Sequence, residues 1–292
     1  MYLPRTFTLS IAGINLQITA DCPIQEDAAF HPFLTEASTP DFRVCFRQVE
    51  DLPPYSETVL HEDACYRVHP DGKGGYIRTF FDAPRDMTPY AVGTYDYSRG
   101  EIRIDYLPKG VHCVSYMHNS FFHIGLEALL LHQNRLCLHA SCVETSLGGI
   151  LFSGVSGIGK TTQSDLWCQY RNANVINGDR PILSREKDRW LAWGSPYAGS
   201  SGCHINEHCP ITAIVMLKQE YTCRLRKLTP AEAFRAVWSG LTMHSWNEKL
   251  VETASDLTME LIRSVPVFEF GCTPDEQAVE YLENELRKEC CL

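Results

Sequence analysis

The sequence predicts an α/β chain, with a β-rich N-terminal domain followed by a mixed-sheet domain in which strands and helices alternate. Three observations carry that expectation. Short alternating or β-branched runs cut by Gly, Pro and Asp fill the chain up to Tyr106. A helical apolar period replaces them between Cys113 and Gln133. G-x-x-x-x-G-K-T, spelled by Gly154 to Thr161, then falls between an apolar run and a helical pattern.

Taken in order, Phe7 to Ile11, Asn15 to Ala20, Phe42 to Val49, Gly75 to Phe81 and Glu101 to Tyr106 read as strands. Polar, Gly-rich joints such as Asp71-Gly72-Lys73-Gly74-Gly75 and Ser98-Arg99-Gly100 suit hairpins, so an antiparallel meander is expected. Tyr116, Phe121, Ile124, Leu126, Leu129 and Leu130 then recur as on one buried helix. Its histidines, His118, His123 and His132, read as ordinary core or surface residues. The expected organisation is residues 1–112 as the β-rich domain, 113–134 as a connecting helix, and 135–292 as a nucleotide-binding domain. Within the last, Leu136 to Glu144, Gly149 to Ser153, Ala173 to Asn177, Ile211 to Leu217 and Val267 to Phe270 read as strands. Helices are expected over Lys160 to Tyr170, Pro230 to Met243, Glu248 to Arg263 and Pro274 to Arg287, two of them opened by Thr-Pro pairs.

A net charge of -10 without any Lys/Arg run argues against nucleic acid as a partner. The N-terminus shows neither an export signal nor an apolar span, so neither secretion nor membrane insertion is expected. Thirteen scattered cysteines then read as free thiols in a reducing cytoplasm. Cys203, His204, His208 and Cys209 lack the paired spacing of structural zinc sites, and Cys290-Cys291 reads as two unconstrained thiols.

The chemistry concentrates at the glycine loop. Gly154, Gly157 and Gly159 allow torsions that let consecutive N–H groups converge on phosphate oxygens. The candidate nucleotide-binding residues are Gly154, Val155, Ser156, Gly157, Ile158, Gly159, Lys160, Thr161 and Thr162. The helix opening at Lys160 adds its dipole, the Lys160 ammonium reaches the β- and γ-phosphates, and the Thr161 hydroxyl ligates Mg²⁺. A phosphoryl-transfer site also needs a carboxylate, and Asp179, closing the apolar strand Val175-Ile-Asn-Gly-Asp, is the candidate. It would sit beside the loop if the two strands are neighbours. Arg180 reads either as a charge neutraliser or as a structural ion-pair partner.

These residues together resemble the superfamily that joins HPr kinase/phosphorylase to ATP-dependent phosphoenolpyruvate carboxykinase. His139 in Leu138-His-Ala-Ser141 resembles the strand histidine preceding the loop in both. Gly154-Val-Ser-Gly-Ile-Gly-Lys-Thr-Thr162 is similar to the carboxykinase loop, and Ile176-Asn-Gly-Asp179 to its acidic strand end. Trp193-Gly-Ser-Pro-Tyr-Ala-Gly199 resembles HPr-kinase-like proteins, and the likeness runs over roughly residues 135–285. The resemblance implies a P-loop kinase domain of that type, with Asp179 as metal ligand or general base, Lys160 and Thr161 as phosphate and Mg²⁺ contacts, and His139 near the γ-phosphate or a second metal. Gly178-Asp179-Arg180 holds one acid where the family has two, which disfavours two-metal chemistry. The glycine-rich Glu-Arg signature of the phosphorylase activity has no match either.

The expected function is therefore an ATP- and Mg²⁺-dependent kinase acting on a hydroxyl of a protein, peptide or small metabolite, with Asp179, Lys160 and His139 as catalytic residues and Thr161 and Asp179 holding the metal. The alternatives are a nucleotide-binding regulatory protein with little catalysis, and, third, a carboxykinase-type enzyme. The Gly194 to Gly202 segment reads as a substrate loop, with Ser195, Ser200 and Ser201 as candidate autophosphorylation sites.

Overall fold

The structure, a computed structural model, describes residues 2–290 except Pro4, Ser38, Ala198, Ser200, Ser201 and His204. It divides into two units, Met1–Leu129 and Leu130–Leu292.

Among the described residues of the first unit, nine strands make one sheet: β1 (Thr6–Ile11), β2 (Ile14–Ala20), β3 (Leu34–Thr35), β4 (Phe42–Gln48), β5 (His61–Glu62), β6 (Tyr66–Pro70), β7 (Tyr76–Asp82), β8 (Asp86–Asp96) and β9 (Glu101–Tyr106). Their spatial order is β3-β1-β2-β4-β9-β8-β7-β6-β5. The sequence alternation is realised in β2, where Ile14, Leu16 and Ile18 turn into the core between partly or fully exposed Asn15, Gln17 and Thr19. The expected antiparallel meander holds for β6 to β9 but not throughout. β4 pairs in parallel with both β2 and β9. A parallel pair needs a long connection. Here residues 21–41 supply one, and the chain lays down β5 to β8 before β9 returns to β4.

The single helix expected over 113–134 is three: α1 (Val111–Val114), α2 (Met117–Ile124) and α3 (Leu126–His132). Two local causes break it. The Gln25 backbone captures the first joint, its N–H donating to Ser115 O at 2.6 Å and its carbonyl accepting from Met117 N at 3.2 Å. Gly125, at φ 69°, then ends α2 in the left-handed conformation that glycine tolerates.

The second unit contains β10 (Arg135–Cys137), β11 (Ala140–Thr145), β12 (Gly148–Ser153), α4 (Lys160–Arg171), β13 (Asn174–Asn177), β14 (Ile182–Glu186), β15 (Arg189–Trp193), β16 (His208–Gln219), β17 (Arg224–Lys227), α5 (Pro230–Ser239), α6 (Glu248–Ser264), β18 (Val267–Cys272) and α7 (Glu276–Glu289). Its mixed sheet runs β10-β14-β15-β16-β12-β11-β13. β16 is long enough to serve two partners along one edge, β15 through His208 to Pro210 and β18 through Ile214 to Gln219. β12, β16 and β18 are mutually parallel, so their carboxyl ends share one side. Ile150, Leu151 and Phe152 are all fully buried, as expected of a strand covered on both faces. Trp167 of α4 and Val279, Leu282 and Leu286 of α7 pack with Ile150, Phe152, Val215 and Phe270 into one core.

The run Leu136 to Glu144, expected as one strand, breaks at Leu138-His139 because the backbone changes partners there. Leu138 N donates to Pro181 O at 3.2 Å and His139 N to Gly240 O at 2.7 Å. The same exchange shortens α5, expected to reach Met243, since Thr242 N leaves the helical pattern to donate to Cys137 O at 2.9 Å. α7 starts at Glu276 rather than at the Thr273-Pro274 pair, because the Asp275 carboxylate caps it by accepting from Ala278 N at 3.1 Å. The start expected at Thr229-Pro230 is as read, with a reciprocal Thr229–Glu232 capping box. Among the described residues, no helix is long and apolar enough to cross a membrane.

Candidate functional site

The glycine loop joins β12 to α4. Gly154, Gly157 and Gly159 take φ of 142°, 78° and 116°. At Gly157 and Gly159 an added Cβ would meet nothing within 4 Å, so there the backbone torsion, not crowding, demands glycine. The loop is braced from within and from β16: Ile158 N donates to Val155 O at 3.2 Å, and Gln219 Nε2 donates to Ile158 O at 3.4 Å. No side chain caps the N-terminus of α4, so its first N–H groups are offered to whatever lies in the loop.

Lys160 opens α4 and is only 9% exposed. Its ammonium donates to Gly154 O at 3.1 Å and Val155 O at 3.4 Å, folding the side chain back along the loop. Burial lowers its pKa, and Asp179 opposes that by favouring the charged form. Thr161 and Thr162 stand exposed on the first turn.

β13 is not the neighbour of the loop strand; β11 lies between them, antiparallel to both. The acid nevertheless arrives at the loop, because that arrangement puts the end of β12, the start of β11 and the end of β13 on one edge. Ala140 faces Ser153 in the register, and Ala140 N donates to Asp179 O at 2.9 Å. His139, one residue before β11, is thereby set between the loop and the acid. Ser153 Oγ donates to His139 O at 2.9 Å. His139 Nε2 stands 3.2 Å from Asp179 Oδ1. Burial lowers the His139 pKa, Lys160 lowers it further, Asp179 raises it and Arg180 lowers it.

The turn that carries Asp179 hangs on one buried amide. Asn177 Oδ1 accepts from Asp179 N at 2.9 Å and from Arg180 N at 2.6 Å. Asn177 Nδ2 donates to Ser195 O at 3.0 Å, and Ser195 Oγ donates to Arg180 O at 2.6 Å. Both residues are 0% exposed. Ser195, expected as a modification site, is thus a buried brace; Ser200 and Ser201, expected with it, lie outside the described residues, as do Ala198 of the Trp193 to Gly199 block and His204 and Cys291 of the cysteine-histidine groups. Gly199 passes so close to the acid that an added Cβ would come 2.8 Å from Asp179 Cβ. Arg180 bridges the other oxygen, Nε to Asp179 Oδ2 at 3.3 Å, and its Nη1 donates to Thr242 Oγ1 at 2.7 Å. A pair of hydroxyls, Ser141 and Ser164 at 2.6 Å, pins α4 to β11 beneath these groups.

On the loop's other flank a cleft of about 610 Å³ opens among Gly157, Ile158, Thr162, Leu217, Tyr221 and Pro274. It lies at the carboxyl ends of the parallel strands β16 and β18, where ligands of open α/β sheets bind. The residues singled out from sequence therefore converge: loop, Lys160, His139 and Asp179 meet on one edge, with Thr161 on the adjoining turn. Sequence reasoning missed Asn177, Ser153, Ser164 and Thr242, which hold these groups through contacts far apart in the chain; an apolar strand ending in Asn before Gly-Asp was the one local signal.

No protein-family model matches the chain, and no curated protein matches it. Among solved structures, the HPr(Ser) kinase/phosphatase from Coxiella burnetii is similar to 52% of this chain and 97% of its own, at 12% identity and a TM-score of 0.33.

Proposed function

We propose that the second unit is an ATP- and Mg²⁺-dependent kinase that transfers the γ-phosphoryl group to a hydroxyl acceptor, as HPr-kinase-like enzymes do. The observation that carries the reading is the convergence of a glycine loop and its lysine with a carboxylate and an imidazole 3.2 Å apart. A loop alone binds phosphate; an acid-base pair at its mouth can take the proton of a hydroxyl that attacks the bound phosphate.

In this reading the loop N–H groups and Lys160 hold the phosphates, and the cleft among Ile158, Leu217 and Pro274 takes the base. Mg²⁺, when bound by Thr161 and Asp179, neutralises charge on the transferred group. The acceptor oxygen attacks the γ-phosphorus as the bond to the β-bridging oxygen breaks. Its proton passes to the Asp179–His139 pair, and ADP leaves. Asp179 is held by Asn177 and Arg180, so most of the catalytic effect comes from positioning and charge stabilisation.

The Arg180 contact to Asp179 Oδ2, at 3.3 Å, favours one competing reading, a nucleotide-binding regulator whose acid is tied down. Transfer of labelled γ-phosphate to a panel of hydroxyl acceptors separates them. The kinase predicts steady transfer, abolished in Lys160→Ala and Asp179→Asn. Tight binding of ATP and Mg²⁺ with neither transfer nor hydrolysis would sink it.

A further inference from the structure

The first unit contains a cluster of donor side chains unconnected with the phosphate chemistry. Asp82 closes β7, while His112 and Cys113 are consecutive on α1. His112 Nε2 lies 3.1 Å from Asp82 Oδ2 and 3.4 Å from Cys113 Sγ. One donor atom from each residue falls within 4.8 Å of both others. Around zinc, bonds of about 2.0–2.3 Å in tetrahedral array place neighbouring donors about 3.3–3.7 Å apart. The His112 nitrogen thus already stands at nearly that separation from both the oxygen and the sulfur, with the oxygen and sulfur themselves within 4.8 Å of each other.

The backbone that carries the cluster is held by the fold. α1 is pressed onto β8 at Gly110, where an added Cβ would come 2.5 Å from the Tyr90 ring. Leu107 N donates to Tyr90 O at 2.8 Å, fixing the entry to the same helix. Tyr90 is buried, hydrogen-bonded to His123 Nε2 at 2.7 Å, and it contacts the Cys113 thiol from the inside. Asp82 is fixed from the other side, since its neighbour Phe81 donates its N–H to Cys65 O at 2.9 Å. Cys65 itself lies within electrostatic range of Cys113, so a second sulfur flanks the group.

We propose that Asp82, His112 and Cys113 bind one Zn²⁺, with the fourth position open to water, clasping the end of β7 to α1. The donor set selects the ion: Mg²⁺ and Ca²⁺ take oxygen ligands, whereas a thiolate, an imidazole and a carboxylate together suit zinc. On binding, the sulfur–proton bond of Cys113 is replaced by a sulfur–zinc bond and the proton leaves to solvent, while the His112 ring nitrogen donates its lone pair. Motif reading could not find this site, since Asp82 is thirty positions from His112 and no C-x-x-C pair announces it.

The test uses the full chain, stripped with a chelator, and Zn²⁺ alone as the probe. Competition against a chromophoric chelator should show one zinc per chain. Asp82→Asn, His112→Gln and Cys113→Ser should each weaken binding at least tenfold, a loss that even removal of outer-shell partners produces. Cys223→Ser, a thiol in the second unit, should bind as the parent does. Added zinc should raise the melting temperature of the parent but not of the three variants, and all should melt alike in chelator, which separates ligand loss from misfolding. Co²⁺ in the parent should give a thiolate-to-cobalt charge-transfer band. Failure of the parent to retain stoichiometric zinc or to show that band, or equal uptake by Cys113→Ser, overturns the site and leaves an exposed ion pair beside a free thiol.

Discussion

Replacing Asn177 by Ala tests whether one buried amide positions the acid. The substitution removes the acceptor of two backbone N–H groups, those of Asp179 and Arg180, and the donor to Ser195 O. Asn177 is fully buried and the Asp179 and Arg180 backbones are half-buried, so each N–H left unsatisfied costs about 1–2 kcal/mol, the lower part of the range for buried groups. Taking the two together, a loss of about 3 kcal/mol is expected, which at a urea slope of about 2 kcal/mol per molar lowers the midpoint by about 1.5 M. All five tryptophans, Trp167, Trp190, Trp193, Trp238 and Trp246, lie in the second unit, so their fluorescence follows this transition. Ser195→Ala removes the other half of the brace, and the double variant should show a coupling of about 1 kcal/mol or more, because the two side chains share partners.

The same substitution separates positioning from binding in the proposed reaction. Among the described residues, the Lys160 ammonium and the Asn177 amide share no hydrogen-bond partner, so ATP affinity should change little while transfer falls by about 100-fold through displacement of the Asp179 turn. An unshifted urea midpoint would refute the structural half of this reasoning. Additive effects of Asn177→Ala and Ser195→Ala, within about 0.5 kcal/mol, would refute the shared brace. Equal losses of ATP affinity and transfer would refute the separation of roles.

Gly199→Ala should depress transfer at least tenfold with little effect on ATP affinity, since the residue has φ +55° and its new Cβ would meet Asp179 Cβ at 2.8 Å; Gly202→Ala, at φ +66° with open space around it, serves as the control bearing backbone strain alone. An equal loss in both would refute the steric argument. For His139, a proton NMR titration should place its pKa below 6.5; Lys160→Met should raise it and Asp179→Asn should lower it further, and movement in the opposite directions would refute the electrostatic account. Buried His123 is held at about 4 against an ordinary 6.5. The unfolded chain takes up its proton below pH 6.5 and the folded unit does not, so this contribution is full above 6.5 and falls to its floor near pH 4. About 2 kcal/mol should be lost between pH 6.5 and pH 5. Hydrogen exchange of peptides from β8 and α2 reads that loss, and equal acid sensitivity in His123→Gln would exclude His123 as its cause.

How far the sequence could be read depended on how local each determinant is. The glycine loop, its strand and its helix were legible because the torsions, the lysine and the capping requirement all lie within one short stretch. The brace was not: Asn177 and Ser195 touch across eighteen positions, and nothing in the spacing of an Asn and a Ser announces that one will hold the turn of the other's neighbour. The break at Leu138-His139 was hidden for a related reason. The run contains no Gly or Pro, and its interruption comes from the carbonyls of Gly240 and Pro181, supplied from elsewhere in the chain. The parallel pairing of β4 escaped because hairpin joints were visible and the order of strands in space was not.

That break is also what makes the site. Had Leu136 to Glu144 continued as one strand, His139 would have paired within the sheet and its ring would have been one more alternating side chain. Because β10 goes to β14 while β11 goes to β12 and β13, His139 falls at the point where the chain passes from one end of the sheet to the other. Its backbone is tied to Gly240 and Ser153, and its side chain is left at the edge where β12 delivers the loop and β13 delivers Asp179. The same edge explains how a single acid can be held against repulsion and misplacement: its backbone is fixed by Asn177, one oxygen faces His139 and the other Arg180. In the proposed reaction, a phosphate that drew Arg180 away would free that second oxygen, so the Asp179–Arg180 contact is the one that ligand binding would have to break.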